Sequence, residues 1–290
     1  MKNKIKTENK LSKDIVGKNI LVPVDYSSIS DNALEYAIEL AKFLDTGVVL
    51  FHAYQIPVPA SDVPVVISPL DLEEMNEKKM KLFSRRVIKK YSDKVRIESK
   101  VCAGFAVDEI VGLAKEIKSS LIVMGVNGAS KIGEAIFGSN TTAVIKRTKI
   151  PVLVIPPKSK FKKIKKIALA YDYEREVDKH VMQKINEFVK MFNGELLVTD
   201  VIGAEELVTA HQKSKIGAKL ESSLAEVKHS YYLPFGENVV NEINSFVDEQ
   251  KADWLVMIPH HHKFFQEPFH ASNTKRMAFH THVPLLSIHD

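Results

Sequence analysis

The chain has 290 residues, 45% hydrophobic and 27% charged, with a formal net charge of +5, which is room for two ordinary domains that each bury a core. No apolar run approaches the roughly eighteen residues that cross a bilayer, and the Lys-rich residues 1–18 lack the apolar stretch of a secretory signal. The lone cysteine, Cys102, excludes an intramolecular disulfide and suits a reducing compartment, so a cytoplasmic protein with no membrane partner is expected.

Apolar runs of strand length alternate with helical periodicity along the chain, the pattern of βα units around a parallel sheet. Residues 20–24 are predicted as the first strand. Ser28 or Ser30 caps the helix after it, in which Leu34, Ala37, Ile38, Ala41 and Leu44 share one face. Residues 48–53 are the second strand. Pro57, Pro59, Pro64 and Pro69 then exclude regular structure, and a long charged helix runs from about residue 70 to 91. Residues 95–101, 120–124 and 152–155 supply three more strands, with helices near 107–117 and 140–147.

The pattern then restarts. Ile167 to Asp172 echoes Ile20 to Asp25 at an offset of 147, and the later matches hold an offset of 133: Leu121 to Met124 with Trp254 to Met257, Ser139-Asn140-Thr141 with Ser272-Asn273-Thr274, and Ile150 to Ile155 with Val283 to Ile288. The second copy is therefore shorter by 14 residues between its first and fourth strands. This predicts a basic tail (1–17), a first domain (18–157), a basic linker (158–166) and a second domain (167–290). Lysines at 2, 4, 6, 10, 13 and 18 and at 158, 160, 162, 163, 165 and 166 form two basic runs. With only Phe161 among them they offer no stacking platform for nucleic acid, and they read as a solvated tail and a flexible linker.

The chemistry concentrates after the fourth strand. Gly125, Gly128, Gly138 and Ser139 stand in the spacing G-x2-G-x9-G-S between an apolar strand and an amphipathic helix. Glycine lets backbone amides approach a ligand closely, and amides in such a loop and at the following helix start present positive charge to phosphate. Ser139 and Thr141 add hydroxyls. The Walker motif, the G-x-G-x-x-G fingerprint and the kinase motif set are all absent.

Val22-Pro23-Val24-Asp25, the Val123-Met124-Gly125 glycine motif and the Thr148 to Ile155 ending together resemble the ATP-binding subclass of the universal stress protein family, closely over residues 18–157 and loosely over 164–290. The resemblance implies two open, Rossmann-like (adenine nucleotide alpha hydrolase-like) parallel five-stranded sheets of order 3-2-1-4-5 with helices on both faces. It also implies an internal pairing of the two domains through their fifth strands, with a homodimer as a further form. It implies that ATP, with or without Mg²⁺, sits in the first domain as a regulatory ligand for stress response or signalling. Pro23, Val24 and Asp25 would then meet the ribose or adenine, and Val49 would offer backbone contacts to adenine. Met124 and Gly125 would line the nucleotide, and Gly128, Gly138, Ser139, Asn140 and Thr141 would hold phosphates. Asp25 read alone also fits a plain helix cap.

In the second domain Ile258, His261 and Ala271 replace Gly125, Gly128 and Gly138, so no phosphate cradle is expected there. Seven of the eleven histidines fall in residues 260–290, and His261, His280 and His282 are the candidate ligands for a zinc ion. Surface and loop-buttressing roles are the plainer reading of the same residues. No nucleophile with an activating base is assembled, and no catalytic residue is assigned. His52, at the end of the second strand, reads as a packing residue. A slow ATPase or other adenine-nucleotide enzyme, and an interaction module with a metal-binding histidine-rich end, are the alternative functions.

Overall fold

The structure, a computed structural model, describes residues 19–56, 68–91, 95–126, 139–172, 177–201, 210–236, 238–259 and 282–289. The first five strands are β1 (Ile20–Pro23), β2 (Val48–Tyr54), β3 (Ile97–Ala103), β4 (Leu121–Gly125) and β5 (Val152–Ile155). The second five are β6 (Lys166–Ala170), β7 (Glu195–Thr199), β8 (Lys228–Tyr232), β9 (Trp254–Met257) and β10 (Leu285–Ser287). The helices are α1 (Ser28–Leu44), α2 (Pro69–Tyr91), α3 (Ala106–Glu116), α4 (Ser139–Arg147), α5 (Lys179–Phe192), α6 (Ala210–Leu224) and α7 (Val239–Gln250).

The strands form one ten-stranded sheet in the order β3-β2-β1-β4-β5-β10-β9-β6-β7-β8. Counted within either half the order is 3-2-1-4-5, with every neighbour parallel. The seam is different: β5 and β10 run antiparallel, Val152 to Val154 opposite Ser287 to Leu285. Sheets that would each present an open edge strand instead hydrogen-bond to one another, which removes two exposed edges.

Because side chains alternate across a strand, the sheet has two apolar faces. Ile20, Val22, Leu121 and Val123 join α1, α2, α5 and α6 on one face. Leu21, Val49, Ile122 and Met124 join α3, α4 and α7 on the other. Helix α1 shows why these segments fold as they do. Ser27 caps it, its side chain accepting from the Ser30 amide at 3.2 Å, so the cap lies one residue before Ser28. Ala33, Leu34, Ala37, Ile38, Ala41 and Leu44 are all buried, at helical spacing, and burying each Leu or Ile contributes about 1.5–3 kcal/mol. Asp45 ends the helix in the left-handed conformation, φ 49°.

The basic linker is engaged rather than loose. The Asp253 carboxylate accepts from the Lys165 and Lys166 amides at 2.7 and 3.0 Å and pairs with Lys162 Nζ at 2.9 Å. Lys160 Nζ reaches Glu35 at 2.7 Å, and Phe161 packs edge-on against Tyr36. Tyr36 in turn accepts from the buried Trp254 Nε1 at 2.7 Å, joining α1 to β9.

Candidate functional site

Strands β1 and β4 are neighbours, but α1 leaves β1 for one face of the sheet while α4, which follows β4, lies on the other. That reversal opens a crevice at the carboxyl ends of the strands, where open α/β sheets bind ligands. A cleft of about 240 Å³ occupies it. Its apolar floor comes from Val24, Phe51, Ala53, Ile110 and Met124, and its polar rim from Asp25, Ser27, His52, Asn140 and Thr141.

The turn carrying Asp25 is held from three sides. Asp25 Oδ1 accepts from the Ser27 amide at 3.0 Å and from Ser27 Oγ at 2.6 Å. Burial raises the Asp25 carboxyl, and the hydrogen bonds from Ser27 and Ser30 more than offset it, leaving the pKa below its ordinary value. Tyr26 is left-handed at φ 65°, a conformation that a bulky residue adopts only when its surroundings impose it. Its ring lies 4.6 Å from that of His52 and 5.2 Å from Phe83 of α2, with Lys79 Nζ 4.1 Å above it. Burial pushes the Tyr26 phenol up to about 12. His52 Nδ1 is 2.7 Å from the Val24 carbonyl; a carbonyl only accepts, so Nδ1 carries a proton in this contact.

Of the residues expected at the site, Pro23, Val24, Asp25, Met124, Gly125, Asn140 and Thr141 line the cleft. Val49 does not. It is 2% exposed, opposite Leu21, whereas the cleft begins where β1 ends. The ladder sets Pro23 against Phe51, so continuing the register brings Ala53 level with Asp25, and Ala53 lines the cleft where Val49 does not. Ser139 is exposed in the first turn of α4 and outside the cleft lining. Thr141 is buried, and its Oγ1 donates to the Gly125 carbonyl at 3.3 Å, stapling α4 to β4. Gly128 and Gly138 lie outside the described residues, as do His261 and His280.

Gly125 is required by packing. A Cβ there would stand 2.7 Å from both the carbonyl oxygen and Cγ2 of Ile29. The corresponding Ile258 is itself buried in the core of its half. His282 Nε2 meets Asp248 Oδ1 at 2.7 Å, and among the described residues no group of three or more His, Cys, Asp or Glu is placed for a metal. Ser27, Ala53 and Ile110 line the cleft without a sequence signal that singles them out: Ser27 sits in the Asp25 turn, and the β1–β2 register and the packing of α3 bring the other two there.

Fold and crevice define a doubly wound α/β protein with its candidate site at the switch point beside β1. The sequence profile of the universal stress protein family matches residues 17–156. A universal stress protein of Methanocaldococcus jannaschii is 32% identical over 144 residues, covering 48% of this chain and 81% of that protein. A second from the same archaeon is 28% identical over 159 residues, covering 50% and 98%. Among solved structures, a universal stress protein of Archaeoglobus fulgidus covers 93% of this chain and 98% of its own at TM-score 0.73 and 21% identity, a likeness of fold. The chain belongs to the universal stress protein family.

Proposed function

We propose that the cleft between β1 and β4 binds one ATP per chain as a regulatory ligand, and that the protein serves a stress-response or signalling role through that occupancy. The observation that carries this reading is the composition of the cleft: an apolar floor of adenine-accepting side chains, a carboxylate at its rim, and a helix start facing it. Ala53 and Met124 suit a flat base between β2 and β4, and the Asp25 carboxylate, already deprotonated by its hydrogen bonds, suits a ribose hydroxyl donor. Helix α4 has no acidic residue in its first turn, so its positive end suits phosphate. The glycine spacing supports the same assignment from sequence. Mg²⁺ would travel with the phosphates; bound nucleotide supplies the charge that this helix start neutralises.

The same reading treats residues 18–157 and 167–290 as two stress-protein domains, joined by the 158–166 linker after a 1–17 tail, with the second a partner that lacks the cradle. Their pairing across β5 and β10 within one chain is the arrangement we infer in solution. Titration calorimetry of the full chain tests the proposal. One equivalent of ATP is expected, with affinity lost by more than about tenfold in Gly138→Val, where added bulk keeps phosphate from the amides. Binding in that variant as tight as wild type would overturn it.

A further inference from the structure

A second cleft, of about 380 Å³, lies between the two halves and away from the Asp25 site. Ser119 and Ser120, just before β4, and Ile150 and Pro151, just before β5, form one wall; α5 forms the other with His180, Lys184 and Glu187. It is therefore at the amino ends of β4 and β5, at the opposite end of β4 from the first cleft.

Comparison of the two halves shows why this space exists. Helices α1 and α5 end alike, with Asp45 and Asn193 both left-handed caps, and at that offset of 148 their buried faces align: Leu34 with Met182, Ala37 with Ile185, Leu40 with Phe188, Leu44 with Phe192. Tyr36 then corresponds to Lys184, while the 133 offset relates Trp254 to Leu121 and Asp253 to Ser120. On one side of the seam, the Tyr36 ring and Trp254 indole fill the groove and the linker amides occupy Asp253. On the other, an aromatic pair and a clamped carboxylate have become an ammonium, an aliphatic side chain and a hydroxyl, and the groove stays open.

What replaces them is suited to an anion. Ser120 is 8% exposed, and its buried Oγ has no hydrogen-bond partner among the described residues. Its neighbour Ser119 is committed, donating to the Asn19 and Leu121 carbonyls. Lys149 and Lys184 come from opposite walls, and neither is ion-paired among the described residues. Glu187 is the one carboxylate in the lining, and it accepts from Gln183 at 3.2 Å. Buried polar groups without partners are rare in folded proteins because they forfeit hydration, and a ligand oxygen restores the missing bond.

We propose that this cleft is a binding site for a small tetrahedral oxyanion of the phosphate class, held by Lys149 and Lys184 with one oxygen on Ser120 Oγ. Lys149 and Ser120 line one wall and Lys184 the other, so an anion seated between them has two ammonium groups and a hydroxyl to share among several oxygens, which suits the four oxygens of a tetrahedral anion. The ligand bridges the halves, since Lys149 belongs to the first and Lys184 to the second. The test is titration of the full chain with inorganic phosphate at constant ionic strength, read in amide proton–nitrogen spectra at Ser120, Ile150 and Lys184, remote from Asp25. Saturable shifts are expected there, weakened about tenfold or more in Lys149→Gln/Lys184→Gln, weakened also in Ser120→Ala, and absent with acetate. Amides that do not move by about 20 mM phosphate, or that move equally in the double variant or with acetate, would overturn the proposal.

Discussion

Replacing Gly125 with alanine puts a methyl group where α1 already stands, 2.7 Å from the Ile29 carbonyl oxygen and 2.7 Å from its Cγ2. The Cγ2 can turn away, but the carbonyl belongs to the first turn of α1, fixed by the Ser27 cap and the Asp25 turn. Either β4 or α1 must shift, and overpacking of this kind costs about 1–3 kcal/mol. Gly112 in α3 is the internal control, because a Cβ there meets nothing within 4 Å, and alanine in a helix interior gains up to about 1 kcal/mol over glycine. At about 2–4 °C per kcal/mol, a thermal melt followed by circular dichroism should fall by about 2–12 °C for Gly125→Ala. Gly112→Ala should melt no lower than wild type. Nucleotide affinity should drop in the first variant only, since the displaced turn carries Asp25. A Gly125→Ala protein as stable as wild type would refute the close approach of α1 to β4 on which the site's geometry rests.

Tyr36→Phe should lower the urea midpoint, because it leaves the buried Trp254 N–H without an acceptor at a cost of about 1–3 kcal/mol; Trp254 is the one tryptophan, so its emission reports the change, and an unaltered midpoint would count against the contact. Burial raises the Asp253 carboxyl, but the Lys165 and Lys166 amides and Lys162 more than offset it, so its pKa is lowered. Stability from this group is present above the unfolded pKa, about 3.9, and is lost as pH falls through the lower folded value. Melts across that acid range should therefore slope less steeply in Asp253→Asn, and equal slopes would contradict the clamp. Burial, with Glu109 adding to it, pushes the Cys102 thiol up to about 11, so alkylation at neutral pH should be roughly a hundredfold slower than for a free thiol; Glu109→Gln should speed it, and wild-type reactivity like that of free cysteine would show the thiol to be unburied.

The strands were readable because runs such as Leu121 to Met124 and Val152 to Ile155 are apolar throughout, as strands covered on both faces must be. Asp25 and Met124 were readable as cleft residues for a related reason: both stand where such a run ends, at the carboxyl end of the sheet. Val49 lies outside the cleft lining because the resemblance names a strand, while depth in the crevice depends on the β1–β2 register, which pairs Pro23 with Phe51. The antiparallel seam is invisible in sequence, since Val-Leu-Val-Ile and Leu-Leu-Ser carry no feature that distinguishes a parallel partner from an antiparallel one. Ser27 rather than Ser28 or Ser30 caps α1, a choice among adjacent serines that only backbone geometry decides. The basic linker read as flexible because lysine runs usually face water, and its anchor, Asp253, lies 87 or 88 residues away.

The central claim is tested most directly by a crystal structure of the full chain grown with a non-hydrolysable ATP analogue. One nucleotide per chain is expected, its base between Ala53 and Met124, its ribose beside Asp25 and its phosphates at the start of α4. An analogue seated at the second half instead, or a cleft beside Asp25 that stays empty at saturating concentration, would contradict it.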